Sequence, residues 1–252
     1  MEHLSARAIR CPVPVHGRDG RALRRLAGRP AAIVTFLDGV CVSRPAPAHC
    51  EALGEVLARM HLAGSDFTQS RRNALGVDQW RPLYEQSKAR AHELRPDLPE
   101  LIESELAALE QDWPRDLARG VIHADLFPDN VFFMDGRLSG LIDFYFACED
   151  ALAYDLAVCI NAWCFERGGE FNATKTRALT LAYHGVRPLA DLDLAHLPIL
   201  CRGAAMRFLL TRLYDWFHTA PGALVQRKDP LEYVERIQFH RGAKSAASYG
   251  LT

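Results

Sequence analysis

A short segment with one histidine, two carboxylates and one amide constrains this chain more than any other feature. It reads His123-Ala-Asp125-Leu-Phe-Pro-Asp-Asn130, and Ile142-Asp143-Phe144 follows it closely. Transfer of a phosphoryl group needs a carboxylate that orients the acceptor hydroxyl, and oxygen ligands that hold Mg2+ against the phosphates. Asp125 suits the first task. Asn130 and Asp143 suit the second, because Mg2+ prefers one or two protein oxygens together with phosphate and water.

The spacing of these residues and the apolar runs around them favour a kinase-type catalytic loop. H-x-D-x-x-x-x-N is the spacing of such a loop, and Asp143 stands where the aspartate of the D-F-G motif would. The apolar runs 131–133 and 138–142 predict two short strands, and Asp135-Gly136 between them is a strong signal for a two-residue hairpin. Such a hairpin would bring Asn130 and Asp143 to one metal ion. The alternative for the H-x-D segment alone is a polar turn.

Composition excludes several classes of protein. At 252 residues the chain has room for one large domain or two small ones, and its 49% hydrophobic and 24% charged residues are typical of soluble globular proteins. A net charge of -1 gives no reason to expect a nucleic-acid or membrane surface. No apolar run approaches the ~20 residues of a membrane span. The seven cysteines include no C-x-x-C pair, which predicts reduced thiols in a cytoplasmic protein.

Hydrophobic patterning predicts a short β region followed by a helical body. Residues 12–15 are expected to be extended, and the apolar run 31–37 predicts a strand. Helical stripes and one long helical run follow, at 53–60, 98–109, 152–163 and 197–217. The pattern predicts an α+β fold, with residues 1–38 as a small β part and residues 39–252 as a helix-rich part.

Three segments together resemble the signature of the aminoglycoside phosphotransferase and choline kinase superfamily. That signature is H-x-D-L-x-P-x-N, then I-D-F, then an acidic D-x-x-x-D-L-A segment. The first two occur here at 123–130 and 142–144, and the third is matched at 150–157 with one residue more between its aspartates. Members are small-molecule kinases related in fold to protein kinases. The resemblance therefore implies a protein-kinase-like fold and the use of ATP and Mg2+.

Within that superfamily the chain is most similar to homoserine kinases of the kinase-fold type. The supporting segments cover nearly the whole chain, at 73–80, 160–165, 202–208, 212–216, 221–224 and 228–241. They imply ATP-dependent phosphorylation of the hydroxyl of L-homoserine in threonine biosynthesis. Two alternatives stay open: a kinase for another small alcohol (an aminoglycoside, choline or methylthioribose), and a non-catalytic kinase-fold remnant that acts as a binding module. The sequence does not predict the oligomeric state.

One departure from the family pattern concerns the small lobe. Members of the family begin with a glycine-rich strand pair, a lysine that holds the α- and β-phosphates, and a helix glutamate that positions this lysine. Residues 1–10 resemble the end of that helix, Gly17 and Gly20 lie in a predicted hairpin turn, and the first lysine is Lys88. The sequence therefore resembles a homoserine kinase without the first strands of its small lobe. Because such strands hold the triphosphate electrostatically, the activity of this chain is expected to be impaired.

The resemblance also implies roles for individual residues. Asp125 is expected to be the catalytic base, and Asn130 and Asp143 the metal ligands. His123 is expected to organise the loop by hydrogen bonding, and Asp155 to tie a helix N-terminus to the loop. The nucleotide is expected at a hinge and against two apolar residues of the hairpin, namely Phe36, Leu37, Asp38, Phe132 and Ile142, although the apolar ones are equally consistent with ordinary core.

The acceptor pocket is expected to match a zwitterion. Homoserine carries a carboxylate and an ammonium group, and a guanidinium fork binds a carboxylate through two hydrogen bonds. Candidates lie on two predicted helices and next to the metal aspartate, namely Asn161, Trp163, Arg207, Arg212, Asp215 and Tyr145. Arg212 and Asp215 are also spaced as an ordinary i,i+3 surface pair, and Tyr145 is equally consistent with a packed aromatic.

Overall fold

The computed structural model describes residues 1–220, 222–223 and 227–251, so the segment 221–224 lies partly outside the described residues. The helices of the described part are α1 (Glu2–Ser5), α2 (Pro47–Ala63), α3 (Val77–Glu85), α4 (Leu98–Asp112), α5 (Leu152–Trp163), α6 (Ala173–Val186), α7 (Asp191–His218) and α8 (Glu232–Gly242). The strands are β1 (Leu23–Leu26), β2 (Arg29–Ala32), β3 (Val40–Cys41), β4 (Arg119–Ile122), β5 (Val131–Met134), β6 (Arg137–Leu141) and β7 (Cys148–Ala151).

The strands form small antiparallel sheets. β1 pairs with β2, β4 pairs with β7, and β5 lies between β3 and β6. In the β5–β6 hairpin Met134 pairs with Arg137, and the two residues between them, Asp135 and Gly136, have φ angles of 51° and 74°. A two-residue turn of this kind requires positive φ at both central positions, which Asp-Gly tolerates. The predicted two-residue hairpin is confirmed.

Two parts of the β prediction were wrong. β2 ends at Ala32, and the rest of the predicted strand 31–37 runs along the surface, where Phe36 is 88% exposed and Val34 forms an isolated bridge with Pro14. Strand β7 was not predicted, because Glu149 and Asp150 interrupt its apolar pattern. It forms because its backbone pairs with β4. Pairing with a partner distant in sequence decided the case of β7.

Helices dominate the body of the protein, as the α+β prediction required. α5 is the most deeply buried of them: nearly every residue from Leu152 to Trp163 is inaccessible to solvent. A helix that is apolar on all sides is typical of the centre of a domain. α2 packs along α6, and α7 packs against both α5 and α8. In the described residues no helix is both long and apolar enough to cross a membrane.

The contact between α2 and α6 depends on a glycine. A Cβ at Gly54 would lie 2.1 Å from the backbone oxygen of Leu179. We therefore expect Gly54→Ala to force the two helices apart and to lower the free energy of unfolding by about 1–3 kcal/mol. The matched control is Gly185→Ala in α6, where a Cβ meets nothing within 4 Å and the better helix former should add about 0.5–1 kcal/mol. Urea unfolding measures both, and equal effects of the two variants would contradict this account.

Candidate active site

The hairpin brings the three predicted oxygen-bearing residues to one cavity. The loop from His123 to Asn130 connects β4 to β5, and Asp143 follows the end of β6. The Ile142 amide donates a hydrogen bond to the Asn130 carbonyl (3.0 Å), which holds the two sides of the site together. Asp125, Asn130 and Asp143 all line the same cavity, of about 490 Å³.

The residue before Asp125 has an unusual backbone conformation. Ala124 has a φ of 64°, a left-handed region that costs a residue with a Cβ about 1–2 kcal/mol. Asp155, at the start of α5, offsets this cost: its carboxylate accepts hydrogen bonds from the amides of His123 (2.7 Å) and Ala124 (2.8 Å). The Asp155 side chain is fully buried. It thus holds the segment that sets the direction of Asp125.

His123 connects the loop to the hairpin on the side of Asp143. Burial lowers the pKa of its imidazole, so the ring is neutral near pH 7. Its Nε2 lies 2.9 Å from the Ile142 carbonyl, which can only accept, so Nε2 carries the proton. The ring also packs against Phe144, with centroids 4.6 Å apart. These two contacts hold the His123 ring between the loop and the hairpin.

Asn130 and Asp143 present oxygens suited to a divalent cation. The Asn130 Nδ2 donates to the Asp125 carbonyl (2.7 Å), which leaves the amide oxygen as the atom able to bind a metal. Asp143 has a left-handed backbone (φ 61°) and accepts a hydrogen bond from the Tyr145 amide (3.3 Å), while the residue stays exposed. One carboxylate and one amide oxygen fit Mg2+, which keeps several waters and phosphate oxygens among its ligands. In the described part of the chain no group of three or more His, Cys, Asp or Glu forms a metal cluster.

Arg207 of α7 holds the loop from the other side. Its Nη1 donates to the Ala124 carbonyl (2.6 Å) and lies 3.9 Å from the Asp125 carboxylate. The guanidinium packs on the rings of Phe146 and Phe208 and is almost inaccessible to solvent. Burial raises the pKa of Asp125, and the positive charge of Arg207 opposes that shift. Arg207 therefore supports the loop and favours the ionised form of its carboxylate.

The family model described as "Phosphotransferase enzyme family" matches residues 1–189, which contain the loop, the hairpin and Asp155. The chain belongs to the phosphotransferase enzyme family. Two similar relatives are both named homoserine kinase. The protein from Rhodospirillum rubrum is 61% identical over 252 residues, which is 100% of this chain and 78% of that protein. The one from Parvibaculum lavamentivorans is 59% identical over 251 residues, again 100% of this chain and 78% of that protein.

Solved structures show the fold of this phosphotransferase. The amicoumacin kinase hAmiN superposes with a TM-score of 0.68 at 16% identity, over 96% of this chain and 75% of that chain. An aminoglycoside phosphotransferase from Alicyclobacillus acidocaldarius gives a TM-score of 0.64 at 18% identity, over 98% and 78% of the two chains. The predicted protein-kinase-like fold and the resemblance to this family are confirmed.

Three of the predicted acceptor residues of the phosphotransferase line the cavity. Arg207, Arg212 and Asp215 lie on the face of α7 that forms its wall. Arg212 donates to the Asp229 carbonyl (2.8 Å) and to the Glu232 carboxylate (2.8 Å), so it is not an i,i+3 partner of Asp215. Partial burial raises the pKa of Asp215.

The other three predicted acceptor residues lie elsewhere, which corrects the prediction for them. Asn161 is fully buried, and its amide nitrogen donates to the carbonyls of Ala157 and Cys201. Trp163 is also buried, and its Nε1 donates to the Leu126 carbonyl (2.7 Å), which supports the catalytic loop. Tyr145 is 74% exposed and is not among the residues that line the cavity. Periodicity alone did not distinguish the core face of α5 from a pocket face.

The predicted hinge residues line a separate cavity. Phe36, Leu37 and Asp38 lie beside Met134 and Ser139 around a space of about 340 Å³. The Asp38 carbonyl accepts a hydrogen bond from the Ser139 hydroxyl (2.8 Å), so it is already paired. Phe132 and Ile142, both half-buried, are not among the residues that line this space. The assignment of these five residues to the nucleotide stays a prediction.

His61 of α2 was not among the residues predicted from the sequence. Its Nε2 lies 3.1 Å from the Asp155 carboxylate, and both side chains are fully buried. A signal was present: His61 falls on the same helical stripe as Leu53 and Leu57, where an imidazole in place of an apolar side chain indicates a buried polar partner. The identity of that partner depended on the tertiary structure.

Proposed function

We propose that this chain is an ATP:L-homoserine O-phosphotransferase that uses Mg2+. The observation that carries the proposal is the convergence of Asp125, Asn130 and Asp143 on one cavity, in a chain 61% identical to a protein named homoserine kinase. The related amicoumacin kinase was solved with AMP-PNP and Ca2+, which supports a nucleotide and a divalent cation at the same site. All seven cysteines are free thiols, which supports a cytoplasmic location as part of the proposal.

The loop geometry suits in-line phosphoryl transfer. The acceptor hydroxyl donates a hydrogen bond to the Asp125 carboxylate, which turns the oxygen toward the γ-phosphorus and takes up the proton as the new O–P bond forms. The bond between the γ-phosphorus and the β,γ-bridging oxygen breaks, and ADP leaves with that electron pair. Mg2+, when bound by Asn130 and Asp143, would neutralise charge on the transferred phosphoryl group. His123 and Asp155 hold the loop that carries these side chains in position.

The wall of the cavity carries charges that match a zwitterionic acceptor. Arg212 and Asp215 lie one turn apart on α7, so they can face opposite charges of one small molecule. The Arg207 guanidinium lies next to Asp125, the residue that the acceptor hydroxyl must reach. Choline and aminoglycosides are cations without a carboxylate, so they would offer Arg212 no anionic group beyond Glu232, with which it already pairs. We therefore propose that Asp215 binds the ammonium group and that Arg212 faces the carboxylate.

This assignment predicts a selective effect on substrate binding. We expect Asp215→Asn to raise KM for L-homoserine about tenfold and to leave kcat nearly unchanged, because a charged hydrogen bond present equally in the ground and transition states would be lost. Steady-state kinetics with saturating ATP measures both constants. The control is Asp191→Asn at the far end of the same helix, for which no change in KM is expected. An unchanged KM for Asp215→Asn would remove Asp215 from the acceptor site.

The proposed reaction is tested by product identification. The chain is incubated with Mg-ATP and L-homoserine, and the formation of O-phosphohomoserine is followed by 31P NMR, with choline, kanamycin and methylthioribose as competing acceptors. Phosphorylation of homoserine in preference to the other three is the expected result. Preference for one of the others would replace homoserine as the substrate. Binding of homoserine without product would favour the binding-module alternative.

We also propose that residues 1–38 form the small-lobe part of the fold and residues 39–252 the large lobe. The first lysine, Lys88, pairs with Glu85 (3.2 Å) and Glu103 (2.6 Å), and residues 1–38 contain no lysine to hold a triphosphate. Thermal-shift titration with Mg-ATP tests whether this chain holds the nucleotide, and the absence of any stabilisation by Mg-ATP would contradict a nucleotide site in it.

A further inference from the structure

We propose that Lys228 supplies positive charge to the phosphoryl group while it moves from the nucleotide to the acceptor. This role rests on the proposed function, because it assigns a further residue to the same reaction. Lys228 lines the cavity that also contains Asp125, Asn130 and Asp143. The other three lysines of the chain all lie in its described part, and they are not among the residues that line this cavity.

The other cations of the cavity already hold parts of the protein. Each of its three arginines donates a hydrogen bond to a backbone carbonyl, namely Arg207 to Ala124, Arg212 to Asp229 and Arg227 to Trp216. Lys228 is the fourth cation that lines the cavity. Phosphoryl transfer places negative charge on the oxygens of the transferred group, and a positive charge held beside them stabilises the transition state. Lys228 is therefore the candidate for that task.

Phe127 places Lys228 above the middle of the loop between β4 and β5. The Phe127 amide donates to the Asp125 carbonyl (2.9 Å), and the Phe127 carbonyl accepts from the Asn130 amide (2.9 Å). The ring packs edge to face against Phe208, with centroids 4.8 Å apart. The Lys228 Nζ lies 5.5 Å from the centre of the Phe127 ring. The ammonium group thus lies beside a residue that is bonded on one side to the proposed base and on the other to a proposed metal ligand.

The ion pair that Lys228 makes with the loop is a weak one. Its Nζ lies 3.6 Å from the Asp129 carboxylate, and the two side chains are 59% and 64% exposed. Solvent screens such a pair, so it contributes little to stability. A lysine also carries its charge at the end of a flexible four-carbon stem. A phosphoryl group, which carries more than one negative charge, therefore draws the ammonium away from Asp129 without a change in the fold.

Lys228 transfers no proton in the proposed step. As the acceptor oxygen bonds to the γ-phosphorus and the bond to the β,γ-bridging oxygen breaks, the ammonium donates hydrogen bonds to the equatorial oxygens of the group. Asp125 takes the hydroxyl proton, and ADP keeps the electron pair of the broken bond. After transfer the same ammonium faces the phosphate of the product. The expected signature of Lys228 is therefore a contact with the phosphorylated product that the acceptor alone does not make.

NMR of the lysine side chains shows this contact directly. In the full chain labelled with 13C-lysine, the Lys228 signals are assigned by their loss in Lys228→Arg. We expect O-phospho-L-homoserine to shift the Lys228 Cε signals and L-homoserine to leave them unchanged. Lys228 signals that move equally with both ligands would overturn the proposal, because they would place Lys228 at the acceptor carboxylate. Unmoved signals would also overturn it if calorimetry shows that the phosphorylated ligand binds.

Two variants separate the charge of Lys228 from its packing. Lys228→Met keeps most of the stem and removes the charge, whereas Lys228→Arg keeps the charge. We expect Lys228→Met to lower both the affinity for O-phospho-L-homoserine and kcat about 10-fold to 100-fold, with KM for homoserine within about threefold of the parent. Lys228→Arg should retain most of both. The control is Lys244→Met, which changes an exposed lysine outside the cavity and should alter neither.

An inactive parent chain and an unimportant Lys228 would give different results. If the parent forms and binds O-phosphohomoserine but Lys228→Met equals it in affinity and kcat, the role of Lys228 is wrong while the proposed function stands. A rise in KM with unchanged kcat for Lys228→Met would also contradict the role, because the acceptor would then meet the lysine. If the parent neither forms nor binds O-phosphohomoserine, the proposed function fails and the role of Lys228 fails with it.

Discussion

Replacing Asp125 with Asn is expected to lower kcat for phosphorylation of homoserine by about 10²–10⁴-fold. The carboxylate would take up the hydroxyl proton, and an amide cannot do so. Burial raises the pKa of Asp125, which means that the folded protein spends free energy to keep this carboxylate ionised. The neutral asparagine avoids that cost. The loss of activity should therefore not be accompanied by a loss of stability. Initial rates measured with radiolabelled ATP, together with the urea midpoint of unfolding, test both statements.

The control for this variant is Asp135→Asn in the hairpin turn. Asp135 has a φ of 51°, which asparagine tolerates, and Asn-Gly is a favoured hairpin pair. It lies outside the cavity, so kcat should stay close to that of the parent chain. An Asp125→Asn variant with more than about a tenth of the parent kcat would argue against Asp125 as the base.

Replacing Asp155 with Asn is expected to lower the free energy of unfolding by about 3–5 kcal/mol at pH 7, the usual cost of removing one partner from a buried charged network. An amide cannot accept from the His123 amide, the Ala124 amide and His61 as a carboxylate does. Whichever way the asparagine amide is turned, its NH2 group would face at least one of these donors. Urea unfolding followed by circular dichroism measures the change.

The difference in stability between the parent chain and Asp155→Asn is expected to depend on pH. Burial acts to raise the pKa of Asp155, but the hydrogen bonds that its carboxylate accepts from His61 and from the His123 amide outweigh this effect, so the pKa lies below its usual value. A carboxyl group with a lowered folded-state pKa stabilises the fold above its unfolded pKa of about 3.9 and loses this contribution as pH falls through the folded value. The stability difference between the parent and Asp155→Asn should therefore be full at pH 7 and shrink below about pH 4.

An exposed carboxylate serves as the control. Asp66 pairs with Arg7 and His3 at the surface, where water and salt screen the interaction. Asp66→Asn should change the unfolding midpoint little at any pH. A difference between the parent and Asp155→Asn that persists unchanged into acid would mean that packing, rather than the charge of Asp155, supplies the stability.

The local sequence specifies the β5–β6 hairpin. Asp135-Gly136 supplies both positive φ angles of the turn, and the apolar runs on either side supply the strands. The spacing of Asp125, Asn130 and Asp143 follows, because a tight turn leaves their relative positions little freedom. The same holds for the long helices, since the stripes that predicted α2, α4, α5 and α7 reflect the helical period itself.

The local sequence does not predict contacts between segments that are distant along the chain. β7 is polar in sequence and forms by pairing with β4. Asn161 and Trp163 have polar groups of the kind that bind ligands. Because α5 is buried on all sides, these groups donate hydrogen bonds to backbone carbonyls of the core instead. A periodic pattern shows that a helix has an apolar face. It does not show whether the polar residues on it meet a ligand or another part of the chain.

Sequence by itself determined the fold class, the hairpin and the three oxygen-bearing residues of the site, because each follows from residues close together along the chain. Only the tertiary structure decided what holds that site in place. His61 reaches Asp155, Asp155 reaches Ala124, and Arg207 reaches the Ala124 carbonyl across separations of 94, 31 and 83 residues. A left-handed alanine before Asp125 is locally unfavourable. It persists because the buried hydrogen-bond partners that folding brings together hold it in this conformation.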